Sequence, residues 1–360
     1  MDKIKIIPIF VPHVGCPNDC VFCNQRKITG KTNIEVRGEY VQSIVEKYIK
    51  TIENTYTEIA FFGGSFTAID LELQTELLKV AKYYKDLGIV HSIRCSTRPD
   101  AINDEILQLQ KHYGMDIIEL GIQSLDDEVL KLSNRGHTRE DSLYASALIK
   151  KYGFVLGHQI MPGLPGSTRD KDIQTCIDSI ALKPDIVRIY PTLIIKDTEL
   201  CYMYEKGIYK PLTLMEAVDR SAYIYSLYRL NNIKVIRIGL QNSDTINEGE
   251  DVVAGPFHPA FRQLVEEKLY LNTLIYKLKG MELRNKNIVI TAKDNLISYI
   301  SGQKKANIIK LKEIFGIKQI VFKNTKKDII EISHQNKVLC SFEQNEIFQN
   351  YLKMQGDLCI

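Results

Sequence analysis

The chain has 360 residues, of which 44% are hydrophobic and 25% charged. That composition is ordinary for a soluble globular protein, and no run of about 18 apolar residues is present to cross a membrane. The length exceeds the usual size of one domain, so one large domain with a smaller companion is expected. The net charge of +3 hides an asymmetry: residues 261–360 hold 17 Lys and Arg against 10 Asp and Glu, whereas residues 1–260 hold 30 against 34. The eight cysteines fall into one cluster of three and five scattered residues (Cys95, Cys176, Cys201, Cys340 and Cys359). This pattern fits a reducing compartment better than a disulfide framework. The N-terminus runs straight into an apolar strand without a signal-peptide core, so a cytoplasmic location is expected.

In chain order, short apolar or β-branched runs alternate with segments of helical period from residue 4 to 240. Strands are expected at 6–13, 58–62, 91–97, 116–122, 154–161, 185–191 and 234–239. Helices are expected between them at 36–52, 70–86, 103–112, 138–151, 168–181 and 213–230. Such alternation predicts a parallel sheet with crossover helices. Gly63-Gly64-Ser65, Ser96-Thr97-Arg98-Pro99, Gln123-Ser124 and Gly163-Leu164-Pro165-Gly166 all follow strands. In a barrel-like sheet they would converge on one mouth. The pattern breaks at 241–260, with Asn242-Ser243-Asp244 and Gly255-Pro256 reading as a linker. The expected division is therefore a core at 1–245 and a small basic domain at 260–360, with helices near 260–278 and 303–315 and strands near 287–291, 317–322 and 328–332.

The most informative stretch is Cys16-Pro17-Asn18-Asp19-Cys20-Val21-Phe22-Cys23, directly after the first strand. Its C-x3-C-x2-C spacing puts three thiols on a tight loop, and a 4Fe-4S cluster held there would keep one iron free of protein ligands. Two other readings stay open: a closed zinc site completed by His13, and a non-catalytic iron-sulfur or zinc module.

The spacing of Cys16, Cys20 and Cys23, with aromatic Phe22 before the last, resembles the radical S-adenosylmethionine (SAM) superfamily. The resemblance implies a partial (β/α) barrel, a 4Fe-4S cluster, SAM bound at the free iron, and an external electron donor for reductive cleavage to a 5'-deoxyadenosyl radical. It also implies SAM contacts at matching positions, Phe22 among them. Gly63 and Gly64 match the glycines whose backbone meets the SAM amino group, with Ser65 at the place of a usual Glu. Ser96 and Arg98 lie near the ribose or methionyl end, and Gln123 matches a ribose contact. Arg135, in Asn134-Arg135-Gly136-His137-Thr138, would place its planar fork on the SAM carboxylate. Met161 and Gly163 would abut the adenine. Glu119 reads equally as a buried ion-pair partner of Arg98 or Arg94. His137-Thr138 reads as a helix cap, with Glu140 and Asp141 in the first turn.

A longer stretch, Arg188-Ile189-Tyr190-Pro191-Thr192-Leu193 through Leu200 and then Lys206-Gly207-Ile208-Tyr209-Lys210-Pro211, resembles the Elongator catalytic-subunit family, which modifies wobble uridines of tRNA. This implies tRNA, or another RNA, as substrate. The cysteine spacing is shorter than that family's, and no pattern for its N-terminal tRNA-binding extension or its acetyltransferase domain is read. A small-molecule substrate, as in the oxygen-independent coproporphyrinogen oxidases, is the alternative. In the basic tail, Ser301-Gly302-Gln303-Lys304-Lys305 is expected to open a helix carrying Lys305 and Lys312 on one flank, a candidate RNA contact against the plainer reading of a solvated face.

Overall fold

The computed structural model describes residues 4–11, 16, 19–24, 36–50, 55–240 and 251–356. His13, Pro17, Asn18, Cys359 and the expected linker residues Asn242, Ser243 and Asp244 lie outside these. By contacts the chain divides into two compact units: Met1–Thr213 with Ile233–Phe257, and Leu214–Asn232 with His258–Ile360.

The first unit is built on seven parallel strands: β1 (Lys5–Val11), β2 (Thr57–Gly63), β3 (Ser92–Thr97), β4 (Ile117–Gln123), β5 (Val155–Ile160), β6 (Ile186–Ile189) and, after the two-residue β7 (Ile194–Ile195), β8 (Lys234–Ile238). The strands lie side by side in chain order, β1-β2-β3-β4-β5-β6-β8. This is the expected partial (β/α) barrel. The crossover helices are α1 (Gly38–Ile49), α2 (Leu71–Asp86), α3 (Asp104–His112), α4 (Asp127–Leu132), α5 (Arg139–Lys151) and α6 (Arg169–Ala181), followed by the short α7 (Glu199–Glu205). Sequence sets their starts: Asp70, Asn103, Asp126, Thr138, Thr168 and Thr198 each accept a hydrogen bond from a first-turn backbone N–H. Such caps satisfy donors that the helix itself leaves unpaired. Thr138 forms a full capping box with Asp141, as the helix-start reading anticipates.

Parallel strands are apolar on both faces where both are covered, and Ile7, Ile9, Ile59, Phe61, Ile93, Cys95, Ile118 and Leu156 are fully buried. The other face carries a polar row. There Glu58, Arg94, Ser96, Glu119, Gln159 and Arg188 share one side by register. Part of the expected linker is ordered: β9 (Val252–Ala254) pairs antiparallel with β7.

The second unit holds a four-stranded sheet, β11-β10-β12-β13, of β10 (Asn287–Ala292), β11 (Gln319–Asn324), β12 (Ile329–His334) and β13 (Lys337–Glu343). Its helices are α8 (Leu214–Leu230), α9 (Phe261–Leu278), α10 (Asp294–Ser301), α11 (Ala306–Phe315) and α12 (Glu346–Met354). Read from sequence as the last helix of the core, α8 groups by contact with α9 and α12. Tyr351 Oη donates to Asp219 O at 3.2 Å, Lys268 pairs with Asp219 at 2.8 Å, and Tyr225 meets Phe348 edge-on.

The tail helix starts later than expected, because Lys304 (φ +51°) and Lys305 (φ +63°) are both left-handed and sit on a turn. The cause lies in Asn307, whose side-chain amide donates to Tyr299 O and Ile300 O at the end of α10 and to Glu267 O. Capturing those carbonyls forces the chain to reverse within four residues. Lys304 and Lys305 are exposed and Lys312 is half-buried. Several other tail lysines are already paired, among them Lys277 with Glu346, Lys293 with Asp328 and Lys310 with Glu313.

Candidate active site at the cysteine turn

Cys20 and Cys23 flank a tight turn closed by Cys23 N–H donating to Cys20 O at 3.0 Å, as two intervening residues allow. Cys20 is buried, and Cys16 and Cys23 are half-buried. Distant segments fasten the turn. Val21 N–H donates to Ser133 O (3.1 Å), Leu200 N–H to Val21 O (2.7 Å) and Asn134 Nδ2 to Asp19 O (2.7 Å). Val21 is buried with Ile194, Leu200, Cys201 and Tyr209, and Phe22 packs against that cluster. Phe22 therefore anchors the loop by its ring.

Gly63 ends β2 with φ +105°, where a Cβ would stand 2.5 Å from Val11 O. The close approach lets Gly64 N–H donate to the same oxygen at 2.9 Å. Ser65, also buried, accepts from Arg98 N–H at 2.9 Å and lies 3.4 Å from Thr97 Oγ1. Its hydroxyl is thus committed to the end of β3, where Ser96 is half-buried.

Arg98 is only 2% exposed. Its Nε and Nη2 donate to the two carboxylate oxygens of Asp100 at 2.9 and 2.8 Å. Burial opposes the charge, but Asp100 and then the Cys20 and Cys16 sulfurs hold its pKa above the ordinary value. Arg135 comes from the loop after α4. Its Nη1 donates to Cys20 Sγ at 3.2 Å and its Nη2 to Gly121 O at 2.7 Å. A Cβ on Gly121 would stand 2.7 Å from Gln123 Nε2 and 3.1 Å from Arg135 Nη2, so glycine there admits both side chains.

Gln123 has φ +59° at an irregularity in the β4–β5 pairing. It accepts from Gln159 Nε2 at 3.2 Å, and its carbonyl accepts from Met161 N–H at 2.8 Å. Gly163 (φ +88°) donates to Asp172 Oδ2 at 3.0 Å and accepts from Tyr209 Oη at 2.6 Å. The structure thus gathers Cys20, Arg135, Gly121 and Gln123, with Ser65, Thr97 and Arg98 beside them and Met161 tied to Gln123.

His137 is buried, and its Nε2 lies 3.3 Å from Ile122 O. Burial, then the Arg135 charge, push its pKa down to about 3. Thr138 caps the helix while His137 faces inward, a separation the sequence does not reveal. Glu119 pairs with Arg94 (3.3 Å) and with Arg188 (3.0 Å), not with Arg98. Arg94 also pairs with Glu58, and Arg188 donates to Tyr190 Oη at 3.2 Å while facing the Phe62 ring. The Arg94 partner is one of the two that the sequence reading offers for Glu119; Glu58 and Arg188 are not legible there, because the members of this buried row come from four strands.

Arg98 Nη1, Arg135 Nε and His137 Nδ1 are buried and have no hydrogen-bond partner among the described residues. One guanidinium donating to Cys20 Sγ and a second buried one whose charge the Cys20 and Cys16 sulfurs favour, each with an unused N–H, suit a negatively charged group at the turn. The donor set therefore fits an iron-sulfur cluster and a carboxylate ligand beside it.

The profile described as the Radical SAM superfamily matches residues 10–178, and that of the Radical_SAM C-terminal domain matches residues 184–270. A protein named tRNA uridine(34) acetyltransferase from Methanocaldococcus jannaschii is 28% identical over 264 residues, covering 62% of this chain and 49% of that protein. The uncharacterized protein MJ0486 of the same organism is 32% identical over 236 residues, covering 62% of this chain and 69% of its own. The solved structure of Methanocaldococcus infernus Elp3 with an N-terminal deletion superposes with a TM-score of 0.62 at 23% identity, covering 78% of this chain and 68% of that one. The chain spans about half the length of the acetyltransferase-named relative.

Proposed function

The chain belongs to the radical SAM superfamily, enzymes that use a 4Fe-4S cluster and SAM, and on that premise we propose that it modifies RNA, with tRNA as substrate. The observation that carries the cofactor part of the reading is the fastened turn of Cys20 and Cys23 with Arg135 against the Cys20 sulfur. Cys16, Cys20 and Cys23 would hold the cluster, which would supply the electron for reductive cleavage of SAM.

The rest is binding and orientation by this chain. Gly63 and Gly64 offer backbone to the SAM amino group, because no side chain intervenes there. Ser65 braces that turn through Arg98 N–H, taking a structural part where a Glu side chain is usual. Arg135 Nε, unused among the described residues, is the donor left for the SAM carboxylate. Ser96, Arg98 and Gln123 line the ribose side, and backbone at Met161 and Gly163 faces the adenine. The names of the relatives support tRNA, as do the exposed Lys304 and Lys305 in the basic tail. The electron comes from an external low-potential donor.

The test is anaerobic reconstitution with assay of 5'-deoxyadenosine, alongside mass spectrometry of tRNA nucleosides from a deletion strain. Loss of one modified nucleoside supports the reading. SAM cleavage with unchanged tRNA nucleosides transfers the proposal to a small-molecule substrate. Stoichiometric zinc with no deoxyadenosine overturns it.

A further inference from the structure

We propose that Arg135, together with an Arg98 clamped by Asp100, sets the reduction potential of the cluster at Cys16, Cys20 and Cys23. The inference rests on the cofactor reading above but assigns these side chains a task separate from holding SAM.

Three observations carry it. Arg135 Nη1 donates to Cys20 Sγ at 3.2 Å, and Gly121 O fixes the second arm of the guanidinium at 2.7 Å. The group cannot swing off the sulfur without giving up a short backbone hydrogen bond. Arg98, from a different strand end, has Nε and Nη2 both occupied by Asp100, leaving Nη1 as its one buried N–H nitrogen without a partner among the described residues. It directly follows Thr97, whose carbonyl oxygen stands 3.6 Å from the Cβ position of Gly121, the residue whose own carbonyl fixes Arg135 Nη2. Finally, both cations are buried, at 2% and 7% exposure, where solvent screens little.

Hydrogen bonds and positive charge at ligand sulfurs stabilise the more negative redox state. Reduction adds one electron from a low-potential donor, with no bond formed or broken in the protein. The two guanidiniums favour that gain before SAM arrives. Asp100 is then a positioning residue: it takes two donors of Arg98 and so aims the third. A role confined to the SAM carboxylate would leave the SAM-free potential unmoved.

The test is an EPR-monitored, dithionite-driven redox titration of the anaerobically reconstituted full chain without SAM. Arg135→Gln is expected to lower the reduced-to-oxidised ratio at a fixed potential at least tenfold, which for a one-electron couple is 59 mV more negative. Arg135→Lys, which keeps a charge, should recover most of that. Arg98→Gln combined with Asp100→Asn, which leaves no lone buried carboxylate, should move the potential the same way by less. A wild-type potential in a four-iron Arg135→Gln protein overturns the proposal. Should that variant lose the cluster, an unshifted potential in the Arg98→Gln/Asp100→Asn protein overturns it instead. Failure of the wild-type protein to assemble a cluster would sink the cofactor reading as well, and so is distinguishable.

Discussion

Glu119 occupies the space that a side chain at Gly157 would need. The two are register partners on neighbouring strands, and a Cβ on Gly157 would stand 2.7 Å from Glu119 Cγ and 3.2 Å from its Cα. Glycine at 157 therefore lets the Glu119 carboxylate lie across the sheet between Arg94 and Arg188. Gly157→Ala must displace a carboxylate held from both sides, and overpacking of this kind costs about 1–3 kcal/mol. A lowered urea midpoint at constant slope is expected. An unchanged midpoint would show that the row can shift without loss.

The three clustered cysteines should be separable from the rest by cluster content. Cys16→Ala, Cys20→Ala or Cys23→Ala should each abolish SAM cleavage and lower bound iron. Cys95 and Cys176, fully buried in the sheet and a crossover helix, should be dispensable for the cluster, as should Cys201 and Cys340. Iron and sulfide analysis of each variant checks this. Full cleavage by any of the three would remove that residue from the site.

Arg135→Ala should also weaken SAM binding, because a charge-assisted hydrogen bond to a carboxylate contributes on the order of 1.5–3 kcal/mol. Titration calorimetry on the reconstituted protein measures it. Unchanged affinity with a shifted potential would assign the side chain to the cysteine sulfur alone.

Acid should destabilise the first unit through His158. Its ring is fully enclosed, Nδ1 at 2.8 Å from Ser179 Oγ and Nε2 at 3.0 Å from Ser146 Oγ, and burial pushes its pKa down to about 3. The unfolded chain protonates near the ordinary value of about 6.5, so below that pH the unfolded state binds more protons than the folded one. The contribution is complete above about pH 6.5 and declines as pH falls towards 3, by roughly 2 kcal/mol between about pH 6.5 and 5. Urea midpoints across that range should slope less steeply for His158→Gln than for the wild type. Equal slopes would mean the histidine titrates normally.

If the basic tail meets RNA, the interaction should show in salt dependence. Replacing Lys304, Lys305 and Lys312 by Ala should lower tRNA affinity and reduce the log-log salt slope by roughly two to three units, about one for each phosphate no longer neutralised. Lys310 and Lys293, already paired with Glu313 and Asp328, serve as controls. A wild-type slope in the triple variant would mark these lysines as a solvated face.

The strand and helix order of the first unit was legible because its periodicity is regular and its helices begin at capping residues such as Asp70, Asn103 and Thr168. The short α4 and α7 were not, since six or seven residues make too few turns to show a period. The cysteine turn and the glycines after β2 could be read as motifs. What could not be read is which donors are already spent. In sequence Glu119 suits either Arg94 or Arg98; register gives it to Arg94, and to Arg188 as well, while proximity in the chain gives Arg98 to Asp100. Local spacing predicts a motif, whereas cross-strand pairing decides its partners.

The fastening of the cysteine turn also sets an order of assembly. Asn134 reaches Asp19 across 115 residues of chain, and Asn24 reaches the carbonyl of Lys196 across 172. Contacts of such long sequence separation close late, because the intervening chain must first lose its freedom. The ligand turn therefore takes its shape only after β4 and the segment around Leu200 are in place. A nascent chain therefore cannot close the full set of contacts around these thiols until translation has passed residue 200 of 360.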